Sequence, residues 1–220
     1  DINGFANDEE INFAASDLDG DTNPDQVHVV DIGGGNSVEI DFEGDLLRVG
    51  GTIGIEIDGF VYLSSDFAFE KSDDPVTVTL SDVDSTEVLV EVMTIGATDV
   101  TAFAGVNGPA DQDGAMGLSM SGIDIGLVLM KVSDPDNLHP EDTRSWMALK
   151  AEVDDISFIG IDDLTISLTD FAVLFNRASG DDNGAANYAV DFAASGAYSI
   201  DVGDGEAIEI DFADGILKVG

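Results

Sequence analysis

The chain writes one of its segments twice. Val30 to Gly50 reads VDIGGGNSVEIDFEGDLLRVG and Ile200 to Gly220 reads IDVGDGEAIEIDFADGILKVG, and the two superpose without a gap at an offset of 170 residues. Asp31/Asp201, Gly33/Gly203, Glu39/Glu209, Ile40/Ile210, Phe42/Phe212, Leu47/Leu217, Val49/Val219 and Gly50/Gly220 are identical, and Arg48 and Lys218 keep a positive charge at one place. Self-similarity at a fixed period is the mark of a repeat architecture, in which each unit buries part of its surface against the next. The expected organisation is therefore the end of a preceding repeat over 1–29, one full repeat over 30–199, and the start of another over 200–220.

Between the two copies the sequence alternates with period two, as half-buried strands do. Val38–Phe42, Ile53-Gly54-Ile55-Glu56-Ile57, 60–71, 76–80, 88–93, 117–132, 145–153, 156–175 and 188–192 all read this way. Gly33-Gly34-Gly35, 43–45 and Asp58-Gly59 punctuate them as tight turns. Residues 106–116 and 133–144 read as polar loops. Helical spacing of apolar residues is nowhere sustained. The predicted fold is all-β: long alternating strands in an elongated repeat module, β-solenoid-like or a twisted-sheet rod, with tandem β-sandwiches as the alternative. A weaker echo lies inside the period: 57–72 resembles 161–179 at an offset of 104, with Ile57/Ile161, Asp58/Asp162, Asp66/Asp170, Phe67/Phe171 and Ala68/Ala172 identical. The competing explanation is that any two alternating strands look alike. Phe60, Phe67, Phe69, Phe171 and Phe175 are expected mostly to fill a core between sheet layers.

Charge excludes several functions. The 220 residues carry 46 acidic and 7 basic side chains, a net charge of -39. Such a surface repels nucleic acid and anionic lipid and attracts cations. Salt, screening over roughly 10 Å or less, blunts its self-repulsion. A positive mean hydropathy with periodic apolar residues argues for packing rather than disorder. No cysteine is present, so neither disulfides nor thiolate chemistry are on offer. No apolar run is long enough to span a membrane. This composition suits an extracellular or cell-surface bacterial protein rigidified by Ca²⁺.

The sharpest local motif is Asp17-Leu18-Asp19-Gly20-Asp21-Thr22-Asn23-Pro24-Asp25. Alternating Asp17, Asp19, Asp21, Asn23 and Asp25 in a Gly-containing turn can converge hard oxygens on one Ca²⁺. The stretch resembles the acidic loops of thrombospondin type 3 repeats and dockerins, and in part the EF-hand. Its twelfth position is His28 rather than a bidentate Glu, and no flanking helices are evident, which argues against an EF-hand fold. Asp111-Gln112-Asp113-Gly114 and Asp181-Asp182-Asn183-Gly184 are degenerate versions that read better as solvated turns.

Catalytic signatures are lacking. Gly117-Leu118-Ser119-Met120-Ser121-Gly122 misses the nucleophile elbow and lies in a strand pattern. His28 and His139 lack zinc spacing. Carboxylate pairs are too common here to mark a glycosidase, and Gly33-Gly34-Gly35 precedes a strand, not the helix of a phosphate cradle. Trp146 reads as core rather than as a sugar-stacking platform.

The stretches 51–72, 92–109, 117–131 and 148–179 resemble the repeat modules of very large secreted or surface β-rich proteins of aquatic bacteria. That resemblance implies an adhesin, a surface coat or an extracellular filament. The expected role is a non-catalytic, cation-stabilised structural repeat of an extracellular filament or surface stalk, its partners being neighbouring copies of the same repeat in one chain or in a homopolymer. The alternative is a Ca²⁺-dependent adhesin module gripping a glycan or surface ligand through 106–116 and 133–144. A secreted hydrolase ranks last.

Overall fold

A computed structural model describes residues 28–40, 46–134, 140–161, 164, 166–203 and 206–220. They fall in two compact units, Asp1–Leu47 with Ser72–Asp74, and Arg48–Lys71 with Pro75–Gly220. The fold is all-β, as the alternation predicts. What the first unit shows is a two-stranded hairpin of β1 (His28–Gly33) and β2 (Asn36–Ile40), turning on Gly34-Gly35. Both turn glycines have positive φ, 68° and 82°, and the Asp31 carboxylate accepts from the Gly33 N–H at 2.7 Å. The glycine run is thus a hairpin turn.

The larger unit is organised on a seven-stranded sheet, in the order β11-β8-β7-β6-β5-β4-β3. Its strands are β3 (Leu46–Ile57), β4 (Val61–Thr79), β5 (Glu87–Val106), β6 (Met116–Val132), β7 (Ser145–Ile159), β8 (Ile166–Ser179) and β11 (Ile216–Val219). β3 to β8 form a plain meander of long strands. Turn chemistry sets its corners: Asp58 and Gly59 both take positive φ. Asp82 accepts from the Thr86 hydroxyl and N–H, and those two bonds hold its carboxyl below the usual range. Sheet pairing is antiparallel and the large sheet is open, unlike the parallel coils of a β-solenoid.

After β8 the chain returns through the single helical turn α1 (Phe192–Ser195), capped by Asp191, which accepts from the Ala194 N–H at 2.8 Å. It then crosses the sheet as a second hairpin, β9 (Tyr198–Gly203) and β10 (Glu206–Ile210), before β11 joins the β8 edge. The hairpin covers one face of β5, β6 and β7. Under it and beside α1 lies the core: Val90, Val128, Val190, Ile200 and Ile210 at 0–1% exposure, with Met130, Trp146 and the edge-to-face pair Phe192–Phe212. Trp146 donates from Nε1 to the Tyr188 carbonyl at 2.8 Å. It is a core residue.

Two adjacent cross-strand rows show the asymmetry of the sheet. Thr94, Val128, Ala148 and Asn176 stand opposite one another and are all buried. The next row, Ile95, Leu127, Leu149, Phe175 and Leu217, points to the other face and is only half-buried, Leu217 being 73% exposed. For the same reason Phe67, Phe69, Phe171 and Phe175 are half-buried and Phe60 is exposed, against the expectation of a filled inter-sheet core. The second layer has only two strands and reaches only the middle of the sheet. Among the described residues the buried phenylalanines are instead Phe103, Phe192 and Phe212.

Asn176 fastens the return. Its Nδ2 donates to the Val190 carbonyl at 2.8 Å and to the Asp214 carbonyl at 3.0 Å, tying β8 to the segments on either side of the second hairpin. Replacing Asn176 with alanine strips the buried Val190 carbonyl and the part-buried Asp214 carbonyl of their donor. Denaturant melts should show a loss of about 1–3 kcal/mol.

Candidate functional site

The repeated segment folds the same way twice. β9 and β10 begin and end at the positions that lie 170 residues after the bounds of β1 and β2, and β11 falls on the opening stretch of β3. Pairing matches as well. Val30↔Val38 recurs as Ile200↔Ile208, His28↔Ile40 as Tyr198↔Ile210, and the one-residue irregularity at Asp31/Gly33 recurs between Asp201 and Gly203. The side-chain alternation and turn glycines set this geometry, so a sequence copied with both intact copies the hairpin.

Environment separates the two copies. In the second, Ile200, Val202 and Ile210 are 0%, 2% and 0% exposed. Their counterparts Val30 and Ile32 are 36% and 61% exposed, and Val29 and Val38 are 55% and 48% exposed. The first hairpin thus presents the apolar residues that the second uses for docking. The seat of the second is cut by a pair of glycines in register, Gly96 on β5 and Gly126 on β6. A Cβ on Gly96 would lie 2.0 Å from the Asp201 carbonyl oxygen and 2.9 Å from the Val202 Cα. On Gly126 it would meet the Ile200 Cδ1 at 2.9 Å. Glycine inside a strand marks this kind of close approach. Both glycines interrupt runs of apolar strand residues, which is the sequence signal of this approach.

Both edges of the seven-stranded sheet are apolar. On β3, Ile53, Ile55 and Ile57 are 40%, 43% and 55% exposed, and on β11 Leu217 and Val219 are 73% and 60% exposed. Arg48 pairs with Glu70 at 2.6 Å and the Thr52 hydroxyl bonds the Asp66 carboxylate, two side-chain ties between β3 and β4 that fit a register with Gly50 level with Ala68. The Tyr198 phenol lies near this ion pair, its pKa raised by burial and then by the Glu70 charge.

A groove of about 690 Å³ lies beside the 106–116 loop, lined by Ile55, Tyr62, Phe103, Pro109, Ser119 and Met120. The Tyr62 and Phe103 rings are tilted against each other with centroids 6.3 Å apart. The groove's ionisable lining is acidic, Glu56 and Asp111, and neither pairs with a base there. The loop is closed by its own bonds: the Asn107 side chain donates to the Gly114 carbonyl, and Gln112 N–H to that of Pro109.

Asp17, Asp19, Asp21, Asn23 and Asp25 lie outside the described residues, as does His139. Among the described residues no group of three or more His, Asp or Glu side chains is arranged to hold a metal. The acidic turns spend carboxylates on their own backbone, Asp181 accepting from the Gly184 N–H at 2.6 Å. Asp142 binds Arg144 at 2.6 Å, and that guanidinium lies 5.9 Å from the centre of the Trp146 ring. Ser119 and Ser121 sit within β6. No protein-family model, curated protein or solved structure matches the chain.

Proposed function

We propose that this chain is a structural, non-catalytic repeat of an extracellular bacterial filament or surface stalk, with neighbouring copies as its partners. One observation carries the reading: the hairpin-and-strand segment occurs twice with one geometry, docked in one copy and with its apolar residues exposed in the other. Exposed apolar hairpins and open strand edges are hazards to a lone soluble domain and serve a polymer as contact surfaces. Electron microscopy of the native material tests this. Fibres with a regular axial period are the expected result, and isolated monomers at all concentrations would refute it.

Ca²⁺ belongs to the same proposal, with Asp17, Asp19, Asp21, Asn23 and Asp25 as its ligands. A chain of net charge -39 gains from neutralising carboxylates before copies are brought together. At Ca²⁺ a hundredfold above its dissociation constant, chelation should lower the melting temperature by about 5–10 °C. Asp19→Ala with Asp21→Ala should abolish that difference. An unchanged melt on chelation removes the cation from the proposal and leaves the polymer intact.

The groove beside Tyr62 and Phe103 favours a second reading, a Ca²⁺-dependent adhesin module. Aromatic rings beside hydroxyls could seat a sugar face, and the 106–116 loop borders them. Glycan binding by monomers, lost on Phe103→Ala or Tyr62→Ala in a protein that still melts cooperatively, would favour that reading over the filament.

A further inference from the structure

The open edge of β8 has a candidate occupant in the sequence itself. β8 runs from Ile166 to Ser179, but β11 pairs with it only from Val173 to Asn176, with Gly220 and Ala172 exchanging backbone bonds of 3.1 Å beyond that. From Ile166 to Phe171 the outer edge of β8 has no strand beside it among the described residues. Ile166 and Leu168, on that stretch, are 56% and 48% exposed. β11 is the second copy of the opening of β3, and β3 itself continues through Gly51-Thr52-Ile53-Gly54-Ile55-Glu56 to Ile57.

Resting on the filament reading, we propose that Leu46–Ile57 of one copy is the strand that completes the β8 edge of the preceding copy. A single strand would then be bonded to β8 on one side and to its own β4 on the other. Three observations fit together. First, β3 is the outermost strand of the sheet on its side. Second, the registers agree. The Arg48–Glu70 and Thr52–Asp66 side-chain bonds fit a register with Gly50 level with Ala68, while β11 sets Lys218 by Leu174 and Gly220 by Ala172. Ala68 and Ala172 are the matched pair of the 104-residue echo, so β4 and β8 receive the same strand in the same register. Third, the hydrogen-bond phases are complementary. Successive residues of an antiparallel strand point their N–H and C=O to alternate edges. Gly220 bonds toward β8, whereas the Phe67 carbonyl is aimed at β3, 3.3 Å from where a Cβ on Gly50 would sit. In a register that levels Gly50 with Ala68 that carbonyl would face Gly51, and the bonding groups of Gly50 would be directed at the opposite edge.

Carried past Gly50, the register places Gly51 opposite Phe171, Ile53 opposite Thr169 and Ile55 opposite Ser167. In a chain where one repeat follows another, β9, β10 and β11 are themselves the opening of the incoming repeat, so its hairpin is the one seated here over Gly96 and Gly126, with the buried Ile200 and Val202 at the positions of Val30 and Ile32. Six strands, β3 to β8, make one period of a continuous sheet. At a strand spacing of about 4.8 Å, the sheet advances about 30 Å per copy.

The test uses a two-copy chain in which Gly220 is followed directly by a second 51–220, compared with the single chain. Backbone amides over 166–171 of the first copy should exchange on the order of 100-fold more slowly in the two-copy chain. The pair Thr169→Cys in the first copy and Ile53→Cys in the second should form a disulfide on mild oxidation. Non-hydrogen-bonded partners stand about 4.5 Å apart at Cα, within reach of the bridge. Ser167→Cys with Ile53→Cys, two residues out of register, should not. Equal exchange over 166–171 in the two chains overturns the shared strand, whatever the cysteine variants do. Fibres that show a regular period while 166–171 stays open would leave the filament reading standing and remove only this junction.

Discussion

Gly96→Ala should dislodge the second hairpin, at a cost of about 3 kcal/mol or more. The added methyl would sit 2.0 Å from the Asp201 carbonyl oxygen, and backbone, unlike a side-chain tip, cannot rotate away. β9 must rise off the sheet, and with it go the contacts of Ile200, Val202 and Ile210. A drop of roughly 6–12 °C in melting temperature follows for a unit of this size. Amide exchange over β9 and β10 should accelerate before that over β6. Gly126→Ala is the internal comparison. Its new methyl meets first the Ile200 Cδ1 at 2.9 Å and the Ile208 Cγ2 at 3.0 Å, side-chain ends that can give way, so the loss should be smaller, about 1 kcal/mol. Equal effects at the two glycines would mean that the hairpin backbone does not pass over Gly96.

Truncating equivalent residues of the two hairpins should give very different losses. Ile200→Ala removes a side chain at 0% exposure from the centre of the core and should cost about 4 kcal/mol, transfer and cavity together. Val30→Ala acts on the same position of the first hairpin, where 36% of the residue is exposed, and should cost about 1 kcal/mol or less. In a chain where copies adjoin, the second value should rise toward the first, because the hairpin gains a sheet to cover. Similar losses at both positions in the single chain would show that the two hairpins share one environment, and would take away the observation on which the filament proposal rests.

Much of this architecture can be read from the residues. Period-two alternation locates β5 and β6, and Gly33-Gly34-Gly35 and Asp58-Gly59 locate two of the turns, because side-chain direction and positive φ are local properties; the stretch 156–175, expected as one strand, is instead the end of β7 and the start of β8. The 170-residue repeat predicts two like hairpins. It is silent on which of them is covered, since that depends on a partner surface distant in sequence. The single helical turn at 192–195 is missed because Asp191 caps a segment too short to show helical spacing. Strand ends are also misjudged. Residues 72–75 look like a break, yet β4 runs through them to Thr79, and β5 continues past the apolar run at 88–93 as far as Val106. On an open sheet a strand persists wherever its neighbours supply backbone partners, whatever its side chains face. The phenylalanine expectation fails on the same ground, because alternation tells two faces apart without telling which one a second layer reaches.

The parity of the meander has a further effect. With an odd number of antiparallel strands, the two outermost ones, β3 and β11, run in the same direction. In the proposed junction β3 of one copy meets β8 of another, two different surfaces, so the contact is heterologous and each copy would face the same way as the last. The resulting assembly would be a directional strand with chemically distinct termini, one always offering β3 and the other β8, so that subunits could be added or capped at one end without affecting the other.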